Sequence, residues 1–483
     1  MNAVVGHNIV AYRQGAILQN LKERYAPPLS FFMAAPFAGL VPGSAAVARL
    51  PFAICGLLTV MLILRWLHKD QAPWHIWVLT ALAVLGNVSF FLYFRQCRYY
   101  GAAILISVAT AYYYLHHDGR TLRLLVVGVL LAALLATHYV ACFAALASLT
   151  VDYALWGRRR CPIKWRQWLL VALPPLLCAA LIVPIWNPLR VDPFRDPRIG
   201  PSDHWVLLWW FFRDLNACEY VVGSLFLAAP LVYLLNRNIW LLRATLALVV
   251  YTASAALIVP QNIHLGPFAE VRHVAPAIAL GIAVGVLVLG SLRGRWVWAG
   301  LALGVVAFGT NLFHGGRWLP SGLRATSWQF ACELISPLPD PYRATSEWIN
   351  RNIPANQTIY GLPDYAIYPL MFHSPQAIYA WQLSYPPEPQ FKNLPAIHFR
   401  GLVPPDTIIA FGPDARKFLA EREVFPAGAQ YRLVHTLDVF WRDTYRPELC
   451  WHSFTPVPCD LRKDEGIYIL QRSGAGPPAY HSP

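Results

Sequence analysis

Two pairs of polar residues stand at the ends of apolar segments and could bind an anion. Arg98 precedes Tyr99 in the stretch FRQCRYYGAAIL, and Arg272 precedes His273 in the stretch PFAEVRHVAPAIAL. Charged side chains at membrane depth are costly, which makes them functional candidates. A guanidinium can hold two phosphate oxygens at once. One interpretation is therefore a lipid-phosphate site at Arg98, Tyr99 and Arg272. The alternative is a pair of arginines that extend to the membrane surface without a ligand.

Three histidines and two carboxylates are candidates for further roles. His138, in LLATHYVACF, and His273 are predicted neighbours of the site, although a lone membrane histidine is often a packing group. The spacing of His264, Glu270 and His273 matches no common metal motif, so no metal-binding residue is predicted. No cofactor is required, and a divalent metal stays an open alternative. Asp203, in PSDHW, is expected at the surface.

The composition indicates an α-helical polytopic membrane protein. The chain is 57% hydrophobic and 13% charged, against roughly 25% charged residues in a soluble domain. Its mean hydropathy is +0.41. Residues 316–483 contain 15 basic and 15 acidic residues, so the net charge of +14 belongs to the apolar part. These cations are scattered among apolar segments, which favours membrane lipids as partners and argues against nucleic acid.

About ten segments have the length and apolar character of membrane spans, since a bilayer needs about 20 apolar residues. The apolar stretch 123–156 is divided at Thr137-His138, where we predict the turn of a hairpin. The predicted spans are 46–67, 75–94, 100–116, 123–138, 139–156, 168–188, 220–236, 239–259, 274–291 and 296–313.

The positive charges between the spans predict an orientation. One set of loops contains 13 Lys or Arg residues, Arg243 among them, and the opposite set contains seven. The richer set is cytoplasmic by the positive-inside rule. The N-terminal tail, the loop 189–219 and everything after residue 313 are then external. Within that loop, Trp205–Phe212 is predicted to lie along the membrane surface.

The chain divides into three predicted regions. Residues 1–45 form an outer tail with juxtamembrane helices, residues 46–315 the transmembrane domain, and residues 316–483 a small external α/β domain. In the last region, helical patterns cover Tyr342–Asn352 and Asp414–Glu423. Strands are predicted at QTIYGLP, AIYAW, TIIAFG and GIYILQR.

The nine cysteines have no metal-site spacing. Cys55, Cys142 and Cys178 lie in apolar runs and are predicted to be small core residues. Cys450 and Cys459 flank a proline-rich loop. They form a disulfide if that region is external, or they stay unpaired.

The N-terminal region carries a family resemblance. A helix over residues 8–24 is broken at Pro27-Pro28, a short apolar segment follows at Leu29–Leu40, and Arg49 opens the first long apolar run. The string PPLSFF…GSAAVARLPFAICGLLTV resembles a signature of bacterial polyprenyl-phosphate-dependent glycosyltransferases of the GT-C fold. That family includes protein mannosyltransferases and lipid A aminoarabinose transferases.

The resemblance extends to the candidate site. RYYGA is similar to the family's R-x-Y-x-L string, THY at His138 recurs in the family, and the segment at Arg272 partly resembles R-Y-x-x-P-x-x-P. These matches imply that Arg98, Tyr99 and Arg272 bind the donor phosphate. Glu23 and Arg24 precede the double proline, where related transferases place lipid-phosphate and metal contacts, so they are candidate active-site neighbours.

The resemblance implies an inverting glycosyltransferase in a bacterial inner membrane. It would move a hexosyl or pentosyl unit from a polyprenyl-phosphate donor to an external lipid, glycan or protein. The family's base carboxylate would fall at or before Met1, so we expect the recorded start to lie downstream of the true one, with the catalytic Asp missing. The alternatives are a non-catalytic assembly factor of envelope polysaccharides and a lipid or sugar transporter, although no repeated halves are visible in the sequence.

Overall fold

The structure is a computed structural model of one chain, and fifteen stretches of it are described below. They are residues 28–41, 44–184, 200–259, 261, 263, 269–314, 325–335, 339–355, 357–363, 366–374, 376–380, 404–412, 430–439, 441 and 466–473. The predicted helices at 8–24 and Asp414–Glu423, the site candidates Glu23 and Arg24, and the pair Cys450 and Cys459 lie outside the described residues.

The first two helices follow the proline pattern. Helix α1, Leu29–Leu40, begins directly after Pro28, which cannot continue a preceding helix. Helix α2, Ala45–Lys69, begins at Ser44, whose hydroxyl accepts a hydrogen bond from the Val47 N–H at 3.4 Å. A short apolar helix followed by a long one was predicted here.

The next apolar segment is broken, although a single span over 75–94 was predicted. Helix α3, Trp74–Gly86, and helix α4, Val88–Arg95, meet at Asn87 with a bend of 58°. The Asn87 side chain accepts the Phe90 N–H at 2.9 Å and begins a new helix. A short polar side chain competes with helical hydrogen bonds in this way, and that competition is the physical reason for the break.

The other apolar segments form helices where they were predicted. His138 separates α6 from α7, which confirms the predicted hairpin turn. A π-helical turn, Tyr153–Gly157, and a last turn, Arg158–Arg160, extend α7. The helices are α5 Tyr100–Leu115, α6 Thr121–Thr137, α7 Tyr139–Asp152, α8 Trp165–Ile182, α9 Pro201–Ala217, α10 Gly223–Asn236, α11 Ile239–Ile258, α12 Ala277–Gly290 and α13 Trp296–Gly309.

Four helices in the described residues are at least 18 residues long and apolar enough to cross a membrane. They are α2, the continuous stretch Tyr139–Arg160, α8 and α11. The bent pair α3 and α4 would be a fifth span, and α5, α6, α10, α12 and α13 are shorter apolar helices. The number of ten spans, the boundaries at 45 and 315 and the orientation stay predictions.

Helix α9 is amphipathic, as the loop sequence indicated. Phe211 and Leu207 are buried, whereas Trp205 and Trp209 are 74% and 66% exposed. Asp203, which was expected to be a surface residue, is partly buried at the first turn, where its carboxylate accepts the Gly200 N–H at 2.8 Å. That contact is a helix cap and gives Asp203 a structural role.

The close approach of α6 to α8 requires a glycine at position 128. A Cβ at Gly128 of α6 would lie 2.3 Å from the carbonyl oxygen of Leu170 in α8. Small residues let membrane helices approach this closely. The core of the helical domain is otherwise filled by aromatic and aliphatic side chains, with Tyr93, Tyr100 and Phe90 among the largest fully buried ones.

We expect Gly128→Ala to destabilise the protein by about 1–3 kcal/mol, because the added methyl group forces α6 and α8 apart. The measurement is thermal unfolding of the purified protein in detergent. Gly309→Ala is the matched control, since a Cβ there meets no atom within 4 Å. Equal melting temperatures for the two variants would contradict the close packing of α6 on α8.

One arginine counted as a loop cation is instead a buried helix residue. Arg243 lies in α11, and its guanidinium donates two hydrogen bonds of 2.7 Å to the carboxylate of Asp152. The Tyr114 hydroxyl donates a third, at 2.9 Å. Because Arg243 lies within a helix, it does not belong among the loop cations that the positive-inside rule counts. The charge pattern missed this pair because the two residues are far apart in sequence.

The C-terminal region contains a five-stranded mixed sheet of order β2-β1-β3-β5-β4. Strands β1, β2 and β3 are parallel, and β5 and β4 extend the sheet antiparallel. Four strands were predicted. The edge strand β4 was missed because none of its residues is buried and it has no apolar run. The strands are β1 Thr358–Leu362, β2 Ile378–Ala380, β3 Thr407–Phe411, β4 Tyr431–Leu437 and β5 Ile467–Arg472.

Two helices precede this sheet in the sequence, and a third lies between β1 and β2. Helix α15, Pro341–Asn352, agrees with its prediction and is capped by Asp340, which accepts the Tyr342 N–H at 2.9 Å. Helices α14, Thr326–Ile335, and α16, Ile367–His373, were not predicted. Of the cysteines predicted to be core residues, Cys55 and Cys142 are buried and Cys178 is partly exposed.

Candidate functional site

The turn between α4 and α5 positions Arg98 and two tyrosines. The Arg98 N–H bonds to the Gln96 carbonyl at 2.8 Å, and this closes the turn. The Arg98 guanidinium then donates to the hydroxyl of Tyr100 at 3.0 Å. Tyr100 is buried at the start of α5, and its ring contacts that of Tyr99 at 4.4 Å between centroids. The arginine is thus bonded to Tyr100 and remains partly exposed.

Three aromatic rings from three separate segments form a stack at this turn. The rings of Tyr99 and His138 lie 4.6 Å apart and 12° from parallel. The ring of His273 continues the stack beyond His138 at 5.8 Å and 13°. We call Tyr99, His138 and His273 the ring stack. It places the turn after α4, the cap of α7 and the segment before α12 next to one another.

His138 has a second role, as the cap of α7. Its Nδ1 accepts the Ala141 N–H at 3.2 Å, so the proton of the neutral ring is on Nε2. The side chain is only 3% exposed. The sequence alternatives for His138 were a packing group and an active-site neighbour, and the structure gives it packing contacts beside both arginine segments.

The carboxylate of Glu270 binds both members of the second polar pair, Arg272 and His273. Glu270 accepts hydrogen bonds from the Arg272 guanidinium and from His273 Nε2, the latter at 3.1 Å. Burial raises the pKa of the Glu270 carboxyl, but the hydrogen bond from His273 and the charge of Arg272 outweigh it and hold that pKa below its usual range. Glu270 is therefore ionised, and it holds the Arg272 side chain in place.

Both arginines act electrostatically on the phenol of Tyr99. Burial raises the pKa of the Tyr99 phenol well above its usual value, and the neighbouring Tyr100 adds to the rise. The positive charges of Arg272 and Arg98 oppose it, and the negative charge of Glu270 supports it. The phenol stays protonated, so it can donate a hydrogen bond to an anion that approaches the two arginines.

The sequence predicted five residues of this cluster as site candidates and missed the ion-pairing role of a sixth. Arg98, Tyr99, His138, Arg272 and His273 come together. Glu270 was considered only as a metal ligand, and its spacing of two residues from Arg272 was the signal for an ion pair. Among the described residues there is no group of three His, Cys, Asp or Glu side chains that could hold a metal.

Two buried carboxylates near the cluster gave no sequence signal. Asp214 and Glu219, at and after the end of α9, are 1% and 0% exposed. Asp214 accepts the Ala269 N–H at 2.8 Å and pairs with the guanidinium of Arg213. Their segment was assigned to a surface loop, and only the three-dimensional structure shows that their side chains point inward.

Comparison with known proteins gives a structural likeness. No model of a known protein family matches the sequence, and no curated protein matches it either. The crystal structure of ArnT from Cupriavidus metallidurans in the apo state is similar with a TM-score of 0.56 and 13% identity, over 97% of this chain and 92% of ArnT. The ArnT structure bound to undecaprenyl phosphate gives a TM-score of 0.51 at 13% identity, over 94% of this chain and 92% of ArnT. This chain therefore has an ArnT-like fold.

Proposed function

We propose that the chain is a membrane glycosyltransferase of the GT-C class that uses a polyprenyl-phosphate sugar donor. The observation that carries this proposal is that the ring stack brings the segment of Arg98 next to the segment of Arg272. The charges of both arginines act on the phenol of Tyr99. Two guanidinium groups and one neutral donor suit a phosphate monoester or diester. The ArnT-like fold, solved in one case with undecaprenyl phosphate, supports the same ligand class.

In the proposed reaction the sugar leaves a lipid phosphate and joins an external hydroxyl or amino group. Negative charge grows on the phosphate as the bond to the sugar breaks. Arg98 and Arg272 compensate that charge, and because Glu270 and Tyr100 already hold them, little reorganisation is needed. A general base must remove the acceptor's proton. We assign no residue to that role. The inverting outcome and the bacterial inner-membrane location are parts of this proposal.

The ligand class can be tested by native mass spectrometry of the purified protein in detergent. We expect undecaprenyl phosphate to remain bound and undecaprenol, which has the same chain and no phosphate, to be lost. Arg272→Ala should weaken retention of the phosphate lipid about 10-fold or more, the range for one charge-assisted hydrogen bond. Equal retention of both lipids by the unchanged protein would refute the phosphate site.

We expect the α/β domain to face the outside of the cell, as the charge pattern predicts. The measurement uses two single-cysteine variants and a thiol reagent that cannot cross membranes. Cys332, in α14, should react in intact cells, whereas Cys161, directly after the arginine turn that ends α7, should react only after lysis. Both thiols are partly exposed, so they form a matched pair. The opposite pattern would reverse the orientation.

A further inference from the structure

The turn that follows α9 fastens the broken helix α3–α4. The Asn87 amide donates to the carbonyl oxygen of Glu219 at 2.9 Å. The Ser89 hydroxyl donates to the carbonyl oxygen of Cys218 at 3.1 Å. The Tyr93 hydroxyl donates to the Glu219 carboxylate at 3.0 Å. Three residues of the break and of α4 are thus bound to one short turn.

A line of contacts leads from this turn to the candidate phosphate site. The ring of Tyr93 meets that of Tyr100 at 5.0 Å and 76°, an edge-to-face contact. The Tyr100 hydroxyl accepts the hydrogen bond of Arg98. Glu219, Tyr93 and Tyr100 are each at most 1% exposed, so none of them contacts a ligand from solvent. We call Glu219, Tyr93, Tyr100 and Arg98 the arginine support.

Glu219 holds both the break and α4. Its backbone carbonyl accepts the Asn87 amide, and its side chain accepts the Tyr93 hydroxyl. A fully buried polar group that loses its hydrogen bond is left unsatisfied away from water, which is costly. The hydrogen bond to Glu219 therefore fixes the Tyr93 ring, and the fixed ring sets where the Tyr100 hydroxyl can stand.

We infer that Glu219 is a positioning residue for Arg98, acting through Tyr93 and Tyr100. This inference rests on the proposed function, because it assigns the support of a phosphate-binding guanidinium. Glu219 holds Arg98 in the geometry that meets the phosphate. When the support is weakened, the arginine keeps its charge and loses its fixed position, and the affinity for the phosphate falls.

The test measures the dissociation constant of undecaprenyl phosphate for a set of variants. Glu219→Gln replaces one acceptor oxygen of the side chain by an NH₂ donor, and Tyr93→Phe removes the hydroxyl with little change of shape. We expect each change to weaken binding about 10-fold, the range for a hydrogen bond to a charged group. In an Arg98→Ala background, neither change should weaken binding further, because the residue being positioned is gone.

Ser89→Ala is the matched control. It removes another hydrogen bond between α4 and the same turn, and it leaves the arginine support intact. We expect its melting temperature to fall while its affinity for the lipid stays at the wild-type value. A merely structural Glu219 would behave in the same way, with lost stability and unchanged affinity.

The outcomes separate this inference from the proposed function. If the unchanged protein does not bind undecaprenyl phosphate, the proposed function fails. If the unchanged protein binds and Glu219→Gln binds equally well, the positioning role is overturned while the function stands. The role is also overturned if Glu219→Gln weakens binding by the same factor with and without Arg98. In that case the effect of the substitution does not act through Arg98.

Discussion

Replacing Arg98 by alanine should reduce sugar transfer from the lipid donor about 30- to 1000-fold. Removing one preorganised group that stabilises developing charge costs roughly 2–4 kcal/mol in comparable sites. Arg98→Lys should recover only part of the loss, because an ammonium group cannot make the paired contacts of a guanidinium. The measurement is the rate of transfer of labelled sugar by purified protein from a membrane lipid extract.

Arg95→Ala is the control for this prediction. Arg95 ends α4 three residues before Arg98 and is exposed. Its removal lowers the local positive charge by the same amount and should leave the transfer rate within about twofold, as expected for a screened surface charge. A well-folded Arg98→Ala protein with a normal rate would show that Arg98 only extends to the membrane surface.

Asp152→Ala should destabilise the helical domain by about 3–5 kcal/mol. The change leaves the Arg243 guanidinium buried without its carboxylate and removes the acceptor of the Tyr114 hydroxyl, and breaking a buried ion pair costs this much. The measurement is thermal or denaturant unfolding in detergent. Lipid-phosphate binding should persist in the protein that remains folded, because these residues do not belong to the candidate site.

Asp70→Ala is a matched control for the loss of a carboxylate. Asp70 pairs with His116 at 2.9 Å, and its side chain is 43% exposed. Solvent screens such a pair, so the loss should stay within about 1 kcal/mol. Equal losses for the two variants would mean that the Asp152 pair is effectively solvated.

The apolar helices could be predicted from the sequence because each one is a continuous run of apolar residues. The hairpin turn at His138 was found because two polar residues interrupt such a run. The break at Asn87 was not found. The apolar pattern continues through Asn87, and the hydrogen bond from its amide goes to Glu219, 132 residues later. No local pattern carries that information.

The candidate site could be predicted only as separate pieces. Arg98 and Arg272 were visible because a charge in an apolar region is unusual. Their segments are brought together by the ring stack of Tyr99, His138 and His273, whose members lie on three distant segments. The support by Glu219 was invisible for another reason, since its segment resembles a surface loop and its burial follows from tertiary packing alone.

The buried pair of Asp152 and Arg243 has a consequence for biosynthesis. Asp152 is synthesised 91 residues before Arg243. At roughly 5–20 residues per second, the carboxylate waits about 5–18 s for its partner. An unpaired charge is costly in the bilayer, so until α11 emerges this end of α7 must stay at the water boundary or in the insertion machinery. We expect α7 and α11 to reach their final depth in the membrane together, once Arg243 has been synthesised and has paired with Asp152.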